Sequence, residues 1–494
     1  MATDLPIIPH YVTELDHGEQ RRVAHLADRI LADEPAMSST TAFGTGVTTG
    51  IGPWPGLVLE DHSGISLFDR ANGTKYSQRA LLLAGDGDFV AIRGRRYREF
   101  ERYCRDTLAL GDVTVLVPRP ATRTAPLSIG CAEDAAVRDR LERHARLNGG
   151  LNIVPYMGTG GVWRLAATLA GRTGRPVKVA APPPRLARRV NDKFWFARCA
   201  AALLGGGALP PTHAVFGPAA LAGRIANLAK RQAAIAVKVT DSASALGTVL
   251  LDPAEMARHS AGALCRHVLA VLRRVGWQGA YPLIVTAWEQ PVLTSPSVHL
   301  WIPHRQHGGP LVEGIFEQIL AGPAGTFVGA GPSGLPQGWR QRIADEAARL
   351  GTLFQLLGYF GRCSFDAILI GQSLADARLH WIECNGRWGG VSIPMTLANR
   401  LTGDWARHPF IVAERADLDG PGQGLSEFLS RIGEDLYRPG STDTGVVVLS
   451  PSWVEHGNGY QVMVVGRDAT DAAASTRSVT DRLTVTREAN DASR

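Results

Sequence analysis

The segment Trp381-Ile-Glu383-Cys-Asn385-Gly-Arg387-Trp-Gly-Gly390 constrains this chain more than any other. Side chains alternate between the faces of an extended strand, so Glu383 and Asn385, two apart, point the same way. Both offer oxygen to a hard cation. Arg387 follows two residues on and supplies a planar fork for a carboxylate or a phosphate. Gly386, Gly389 and Gly390 let the backbone turn sharply and come close to a ligand. Taken alone, the segment also reads as a strand end with a surface ion pair. The rest of the chain decides between these readings.

At 494 residues the chain exceeds one ordinary core, and two to four domains are expected. Hydrophobic residues make up 45% and charged residues 20%, the balance of a globular protein. No run approaches ~18 consecutive apolar residues, so no membrane partner is expected. The start, Met1-Ala-Thr-Asp-Leu-Pro6, has neither the basic nor the apolar stretch of a secretory signal. Six cysteines, Cys104, Cys131, Cys199, Cys265, Cys363 and Cys384, are scattered without a C-x-x-C pair. That pattern predicts reduced thiols and a cytoplasmic location, not a disulfide scaffold or a zinc site. The net charge of +6 is mild, and the arginines near Arg93–Arg98 and Arg185–Arg189 are too sparse for a nucleic-acid reader. No nucleic-acid partner is expected, whereas an anionic small substrate fits the basic excess.

Periodicity divides the chain. A helix is expected from about 16 to 33, followed by a loop of small residues to Pro53. Short apolar runs at Leu57–Leu59, Leu81–Leu83, Phe89–Ile92, Val113–Val117 and Leu151–Pro155 read as strands. They alternate with helices at Tyr97–Leu110, Asp134–Leu147 and from Val162, which predicts an α/β layer with a partly parallel sheet. Ala181-Pro-Pro-Pro184 is stiff and marks the first domain boundary. One helix is expected over Leu186–Leu204, stopped by Gly205–Gly207, and others over Pro218–Arg231 and Pro253–Val275. Strands follow at 234–239, Thr248–Leu251 and Pro282–Ala287, then a hairpin of Ser297–Ile302 with Leu311–Ile319. An amphipathic helix, Arg340–Leu357, precedes a strand pair, Cys363–Ile370 and His380–Cys384. The tail from Leu425 reads as a helix and two strands, Thr444–Leu449 and Tyr460–Val465.

Chemistry-bearing residues come in a fixed order: Lys193 on a helix, Lys238 on a strand, Glu289 in an extended stretch, then Asp366, Glu383 and Asn385 on adjacent strands. Mg²⁺ favours octahedral oxygen ligands and takes one or two carboxylates plus substrate phosphates, which Asp366, Glu383 and Asn385 could provide. Lysines approaching from another lobe could neutralise phosphate charge. The turn Asp241-Ser242-Ala-Ser244-Ala-Leu-Gly247 is small enough for backbone N–H groups to reach phosphate oxygens. Glu289 could meet the ribose hydroxyls.

This order resembles the ATP-grasp superfamily, over about two-fifths of the chain from Lys193 to Arg400. The resemblance rests on Asn191-Asp-Lys193, on Ala236-Val-Lys238 with its turn, and on Ser364-Phe-Asp366-Ala-Ile-Leu369 followed by Ile382-Glu-Cys-Asn-Gly-Arg387. Within the superfamily, Gly314-Ile-Phe-Glu-Gln318-Ile-Leu320 with Phe327-Val-Gly-Ala-Gly-Pro-Ser333 looks like the pheganomycin-type carboxylate–amine ligases of peptide natural products. So does Tyr156 with Leu165-Ala-Ala-Thr-Leu-Ala170. The turn after Lys238 departs from many relatives in having a single glycine, and the stretch at Trp288-Glu289-Gln-Pro-Val lacks a clean acidic repeat.

The resemblance implies a pre-ATP-grasp α/β domain over 1–184, and a two-lobed ATP-grasp core over 185–418 with lobes at about 185–285 and 286–418. A small C-terminal α+β domain over 419–494 completes an α/β multidomain chain. It also implies ATP and Mg²⁺ (or Mn²⁺) as cofactors, with Lys193, Lys238, Ser242, Ser244, Gly247 and Glu289 on the nucleotide. Asp366, Glu383 and Asn385 would hold the metal, and Arg387 with Lys238 would serve catalysis. The implied reaction joins a small carboxylate to an amine, an amino acid or peptide, through an acyl-phosphate. Alternatives are a non-peptide amide synthetase and a non-catalytic ATP-binding module. Because related ligases are often dimers, a homodimer is one expected assembly.

Other features read as structure. His304, Arg305 and His307 read as a solvated turn. Gly44, Gly46 and Gly50 lack the spacing and preceding strand of a dinucleotide loop. Cys384 is expected to face the core, since Mg²⁺ disfavours sulfur.

Overall fold

A computed structural model describes residues 5–67, 76–119, 125–243, 245–274, 276–416, 424–455 and 459–485. These residues form three sheets, taken here in chain order. The first comprises β1 (Val47–Thr49), β2 (Gly56–Leu59), β3 (Phe89–Ala91), β4 (Thr114–Leu116), β5 (Leu151–Pro155) and β6 (Val177–Val179). All its pairings are parallel, in the order β1-β6-β5-β2-β3-β4. Its central strands β2 and β3 are apolar and buried, and helices such as Ala135–Asn148 and Gly160–Thr173 cover the sheet around Leu57, Leu59 and Ile153. The first of these helices is capped by the Asp134 carboxylate, which accepts from two backbone N–H groups.

The second sheet contains β7 (Thr212–Val215), β8 (Ile235–Val239), β9 (Thr248–Leu251) and β10 (Leu283–Ala287), ordered β7-β10-β8-β9 and antiparallel. Helices Pro218–Leu228 and Ala261–Arg274 pack on it around Val237, Val268 and Leu272, making a small lobe with its own core.

The third sheet has nine strands: β11 (Val292–Thr294), β12 (Pro296–Ile302), β13 (Leu311–Ala321), β14 (Thr326–Pro332), β15 (Gly361–Ile370), β16 (Arg378–Asn385), β17 (Phe410–Ala416), β18 (Gly445–Val448) and β19 (Gly459–Val465). Cys363, Phe365 and Ala367 of β15 and Val298, Leu300 and Ile302 of β12 face helices His17–Asp33, Lys193–Leu204 and Gln337–Leu356. The intervening residues of β15, Arg362, Ser364 and Asp366, therefore face the other way. The tail strands β18 and β19 extend this same sheet through β17.

Three expectations are corrected. Leu81–Leu83 is not a strand; Ser77–Leu82 is a 3₁₀ helix whose leucines are buried between layers, and a short apolar run alone does not set the period. The helix expected over Leu186–Leu204 is two, Pro184–Val190 and Lys193–Leu204, because Asp192 breaks the first to cap the second. The helix expected from Pro253 likewise splits into Pro253–Met256 and Ala261–Arg274. The loop of small residues before Pro53 hides β1, and β6, β7 and β17 also escape the sequence pattern.

Candidate functional site

β15 and β16 pair antiparallel, with Asp366 opposite Glu383 and Ser364 opposite Asn385. The register slips between Asp366 and Ala367, which faces Trp381, so Ile382 is an extra residue in the ladder. This bulge matters. In an unbroken strand Glu383 would share a face with Leu379 and Trp381, both in the core under the helices. With the bulge, Trp381 and Cys384 both face the core while Glu383 and Asn385 face Asp366. Cys384 lies inward as expected, its sulfur 3.6 Å from that of Cys363.

Asp366 is held by three neighbours. Ser297 Oγ donates to Oδ1 at 2.6 Å, Asn385 Nδ2 donates to Oδ2 at 2.8 Å, and Gln318 approaches from β13. Burial, and then the Glu383 charge, push the Asp366 carboxyl up to about 6 despite these donors. Burial would also raise Glu383, but the Lys193, Lys238 and Arg387 charges together hold it below its usual range.

Lys193 occupies the first turn of its helix, where the Asp192 side chain accepts from Trp195 N at 2.8 Å. Its Nζ lies 2.7 Å from Glu383 Oε2 and donates to the Ser242 carbonyl at 2.5 Å. Lys238, on β8, places its Nζ 5.3 Å from the centre of the Trp288 ring. Burial pulls its ammonium down to about 8, with Glu383 acting in the opposite sense. Lys238 thus faces the carboxylates from the small lobe, whereas Lys193, expected from that lobe too, reaches Glu383 from a helix packed on the large sheet.

Between the small lobe and the large sheet is a cavity of about 430 Å³, lined by Lys193, Lys238, Ser242, Glu289, Asp366 and Glu383 among others. Ile284, Val292, Leu320 and Ile368 add apolar surface to the same lining, Ile284 directly opposite Lys238 in the small sheet. This size and mixture suit a ligand with one flat apolar part and one strongly charged part. Glu289 lies in the connection between β10 and β11 and lines the cavity, and its Oε2 is 2.6 Å from His380 Nδ1. Ser242 lines the cavity, but its hydroxyl donates to Val239 O at 3.3 Å, so its carbonyl and backbone carry its part. Gly247 does not line the cavity. It has φ +74°, and a Cβ there would come 2.9 Å from Val239 and 3.0 Å from Leu67, so it serves the turn. Ser244 lies outside the described residues.

Arg387 sits beside the cavity in a narrow crevice with Lys193, Glu383 and Asn385, closed by Gly64 and Ile65 from the first domain. Its Nη1 donates to Asn191 Oδ1 at 2.6 Å, and Asn191 also accepts from Gly386 N at 3.1 Å. Among the described residues its buried Nε has no hydrogen-bond partner. His304 and Arg305 are elsewhere: the His304 ring stacks on Phe360 and its Nε2 lies 3.2 Å from Thr49 O.

The expected residues Lys193, Lys238, Ser242, Glu289, Asp366 and Glu383 line one cavity, with Asn385 and Arg387 beside it. Sequence reading gave no role to Ser297 on β12, to Gln318 on β13, named only within the Gly314–Leu320 resemblance, or to His380 on β16. Asn191 was legible as part of Asn191-Asp-Lys193, though its grip on Arg387 was not. Among the described residues no cluster of three or more His, Cys, Asp or Glu stands ready for a metal. The donor set is two carboxylates and, with Asn385 Nδ2 turned to Asp366, one amide oxygen. These hard oxygens fit Mg²⁺ or Mn²⁺, with the remaining positions open to phosphate and water.

Residues 77–170 match the Pre ATP-grasp domain family. No curated protein matches the chain in sequence. Several solved structures share its fold. The biotin carboxylase domain dimer of Hydrogenobacter thermophilus 2-oxoglutarate carboxylase, in complex with MgADP, ADP and bicarbonate, is 15% identical. The likeness covers 86% of this chain and 89% of that one, at a TM-score of 0.52. Campylobacter jejuni biotin carboxylase, in a β-γ-ATP complex, is 12% identical over 87% and 91%, at 0.51. N5-carboxyaminoimidazole ribonucleotide synthetase from Thermus thermophilus is 16% identical over 87% and 97%, at 0.50. The architecture is thus a pre-ATP-grasp domain followed by an ATP-grasp fold, and at these identities the likeness speaks for the fold alone.

Proposed function

We propose that this protein is an ATP- and Mg²⁺-dependent carboxylate–amine ligase, a carbon–nitrogen ligase that forms an amide through an acyl-phosphate. The observation that carries the proposal is the convergence of Lys193, Lys238, Asp366 and Glu383 on one cavity that also has apolar walls. A fold shared with biotin carboxylases solved with MgADP and with β-γ-ATP supports it by analogy.

The apolar lining residues Val292 and Leu320 take the adenine, and Glu289, steadied by His380, takes the ribose hydroxyls. Lys193 and Lys238 neutralise phosphate charge, with Lys193 exchanging Glu383 for a phosphate oxygen. When bound between Asp366, Glu383 and Asn385, Mg²⁺ supplies charge stabilisation on the transferring phosphoryl group. A substrate carboxylate oxygen attacks the γ-phosphorus and ADP leaves. An amine nitrogen then attacks the acyl carbon, phosphate leaves, and the amine gives up its proton. Arg387 lies close enough to Glu383 and Asn385 to hold the acyl-phosphate or the substrate carboxylate. Both steps depend on positioning and charge, and no protein nucleophile is needed.

The finer reading is ligation to an amino acid or peptide, in the biosynthesis of a peptide product or an amino-acid conjugate. A screen of amino acids and short peptides for ATP-dependent mass gain tests it. A peptide product supports the peptide ligase, and mass gain only with simple amines supports the non-peptide reading. Hydroxylamine trapping separates catalysis from mere binding, since an acyl-phosphate yields hydroxamate. ATP-induced thermal stabilisation without ADP release would instead mark a non-catalytic module. A cytoplasmic location belongs to the proposal; all six cysteines are free and buried, and no helix among the described residues is long and apolar enough to cross a membrane.

A further inference from the structure

β2 lies between β3 and β5, where the order of the parallel sheet reverses direction. Loops leaving the carboxyl ends of strands at such a point are where open parallel sheets place their ligands. Here the loop of residues 60–67 does something more specific. Its base is rigid: Asp61 accepts from Ser128 N and from Ser63 N, each at 3.0 Å. Its middle, Gly64 and Ile65, closes the crevice around Arg387. Its end crosses to the small lobe. Ser66 forms an isolated parallel bridge with Ser242, Ser66 N donates to Asp241 O at 3.1 Å, and Ser66 Oγ donates to Asp241 Oδ2 at 2.7 Å.

Leu67 reinforces this crossing. It packs on the core of the small lobe, within reach of Gly247 and Gly276. It does so with φ +67°, a conformation that costs a branched residue energy and persists only where the surroundings enforce it. The turn it meets has a second such residue, Ala245, at φ +58°. Ser242, next to Asp241, is the residue whose carbonyl receives Lys193 Nζ. The turn between β8 and β9 is therefore gripped from two sides, by a lysine facing the phosphates and by a serine from the first domain.

We propose that Ser66 and Asp241 form a latch that positions the β8–β9 turn over the nucleotide phosphates. The loop that closes the Arg387 crevice thereby also sets the grip on ATP. The inference rests on the nucleotide reading of the cavity given above. Both are positioning residues: they act through the turn and touch no reacting atom.

Calorimetric titration of the full chain with ATP and Mg²⁺, and separately with adenosine, tests the latch. Ser66→Ala should weaken ATP binding by about tenfold, the loss of one charge-assisted hydrogen bond, and leave adenosine binding unchanged. Ser66→Thr, which keeps the hydroxyl, should bind ATP like the wild type. Asp241→Ala should match Ser66→Ala, and the double variant should be no weaker than either alone. Equal loss of ATP and adenosine affinity, additive losses, or wild-type ATP affinity in Ser66→Ala would each overturn the latch while leaving the nucleotide site standing. Failure of the wild type itself to bind ATP would overturn the nucleotide reading, and the latch with it.

Discussion

Two ion clusters lie four residues apart on the same face of β15, and they have opposite characters. Arg362 pairs with Glu313 where both side chains are at most 1% exposed. Its guanidinium also donates to Thr396 Oγ1 at 3.1 Å and lies over the rings of Trp388 and Trp301, at 4.9 and 5.5 Å. Asp366 and Glu383 instead open on the cavity, and the first of them is pushed toward its neutral form by burial and by the second. The sealed pair is fully enclosed: burial pulls the Arg362 guanidinium down to about 9, and among the described residues its Nε and Glu313 Oε1 have no hydrogen-bond partner. The open pair leaves like charges side by side, with Lys193 bound to Glu383. One cluster fixes where the strands sit, and the other is the one proposed to take a cation.

The largest expected effect breaks the open side. Asp366→Ala or Glu383→Ala should lower ATP-dependent product formation on the order of 10³-fold or more, as expected when a metal-holding carboxylate is removed. Asp366→Asn should be as inactive yet unfold no more easily than the wild type, because it relieves a carboxyl that the fold disfavours. ADP release and thermal melts on the same samples check both halves. If either alanine variant makes ADP at the normal substrate-dependent rate, the metal assignment fails.

On the sealed side the effect moves from activity to stability. Arg362→Met leaves Glu313 buried beside an apolar chain, and about 3–5 kcal/mol of stability should be lost. Denaturant melts of the double variant Arg362→Met with Glu313→Leu should recover most of that loss, since no buried charge is left unpaired. Persistent loss in the double variant would mean that the packing of Arg362 on the tryptophans outweighs its charge.

The contrast also marks where the sequence was legible. Asp366, Glu383, Asn385, Lys193 and Lys238 could be listed because a charge or amide in an apolar strand, or at a helix start, stands out against its neighbours. Their convergence followed from order along the chain. The bulge at Ile382 was hidden, because nothing in Trp-Ile-Glu tells a strand with one extra residue from one without. Ser297 was hidden because a serine on a strand is ordinary, and Gln318 was named only within a resemblance; only the fold brings them to Asp366. The small lobe read well through β8, β9 and β10, whose short runs rich in Val, Ile and Leu stand out, while β7 did not. The single helix read over Leu186–Leu204 failed at Asn191-Asp192, where a cap outweighs continuing periodicity.

A third carboxylate sharpens the comparison. Glu414 of β17, at the far part of the same sheet, accepts from the Gln461 amide and faces Arg79, an arginine already engaged by Glu60. Burial pushes its carboxyl up to about 7. A raised carboxyl binds its proton more tightly in the fold than in the unfolded chain. Stability is therefore full below the unfolded value near pH 4.5 and falls as pH rises through about 7. Glu414→Gln should thus gain about 1–3 kcal/mol at pH 8 and nothing at pH 4. Melts at the two pH values decide whether this group belongs with the sealed cluster or with the open one.

The smallest effect tests the open cluster from its cationic side. Lys238 is lowered to about 8, so its ammonium is intact at pH 7 and is lost as pH rises through 8. A triphosphate in the cavity needs that charge, so ATP affinity should fall by up to about tenfold for each unit above pH 8, with proton uptake on binding. The empty protein should show the opposite trend. Its unfolded chain holds the lysine proton up to about pH 10.4, so folding stability should rise between pH 8 and that value. Lys238→Arg keeps its charge throughout and should flatten both slopes. Titrations and melts at pH 7, 8 and 9 measure the two trends together. A lysine lying free on the surface would give neither, whereas one enclosed beside two carboxylates gives both with opposite sign. Parallel slopes, or slopes that persist in Lys238→Arg, would remove Lys238 from the phosphate site.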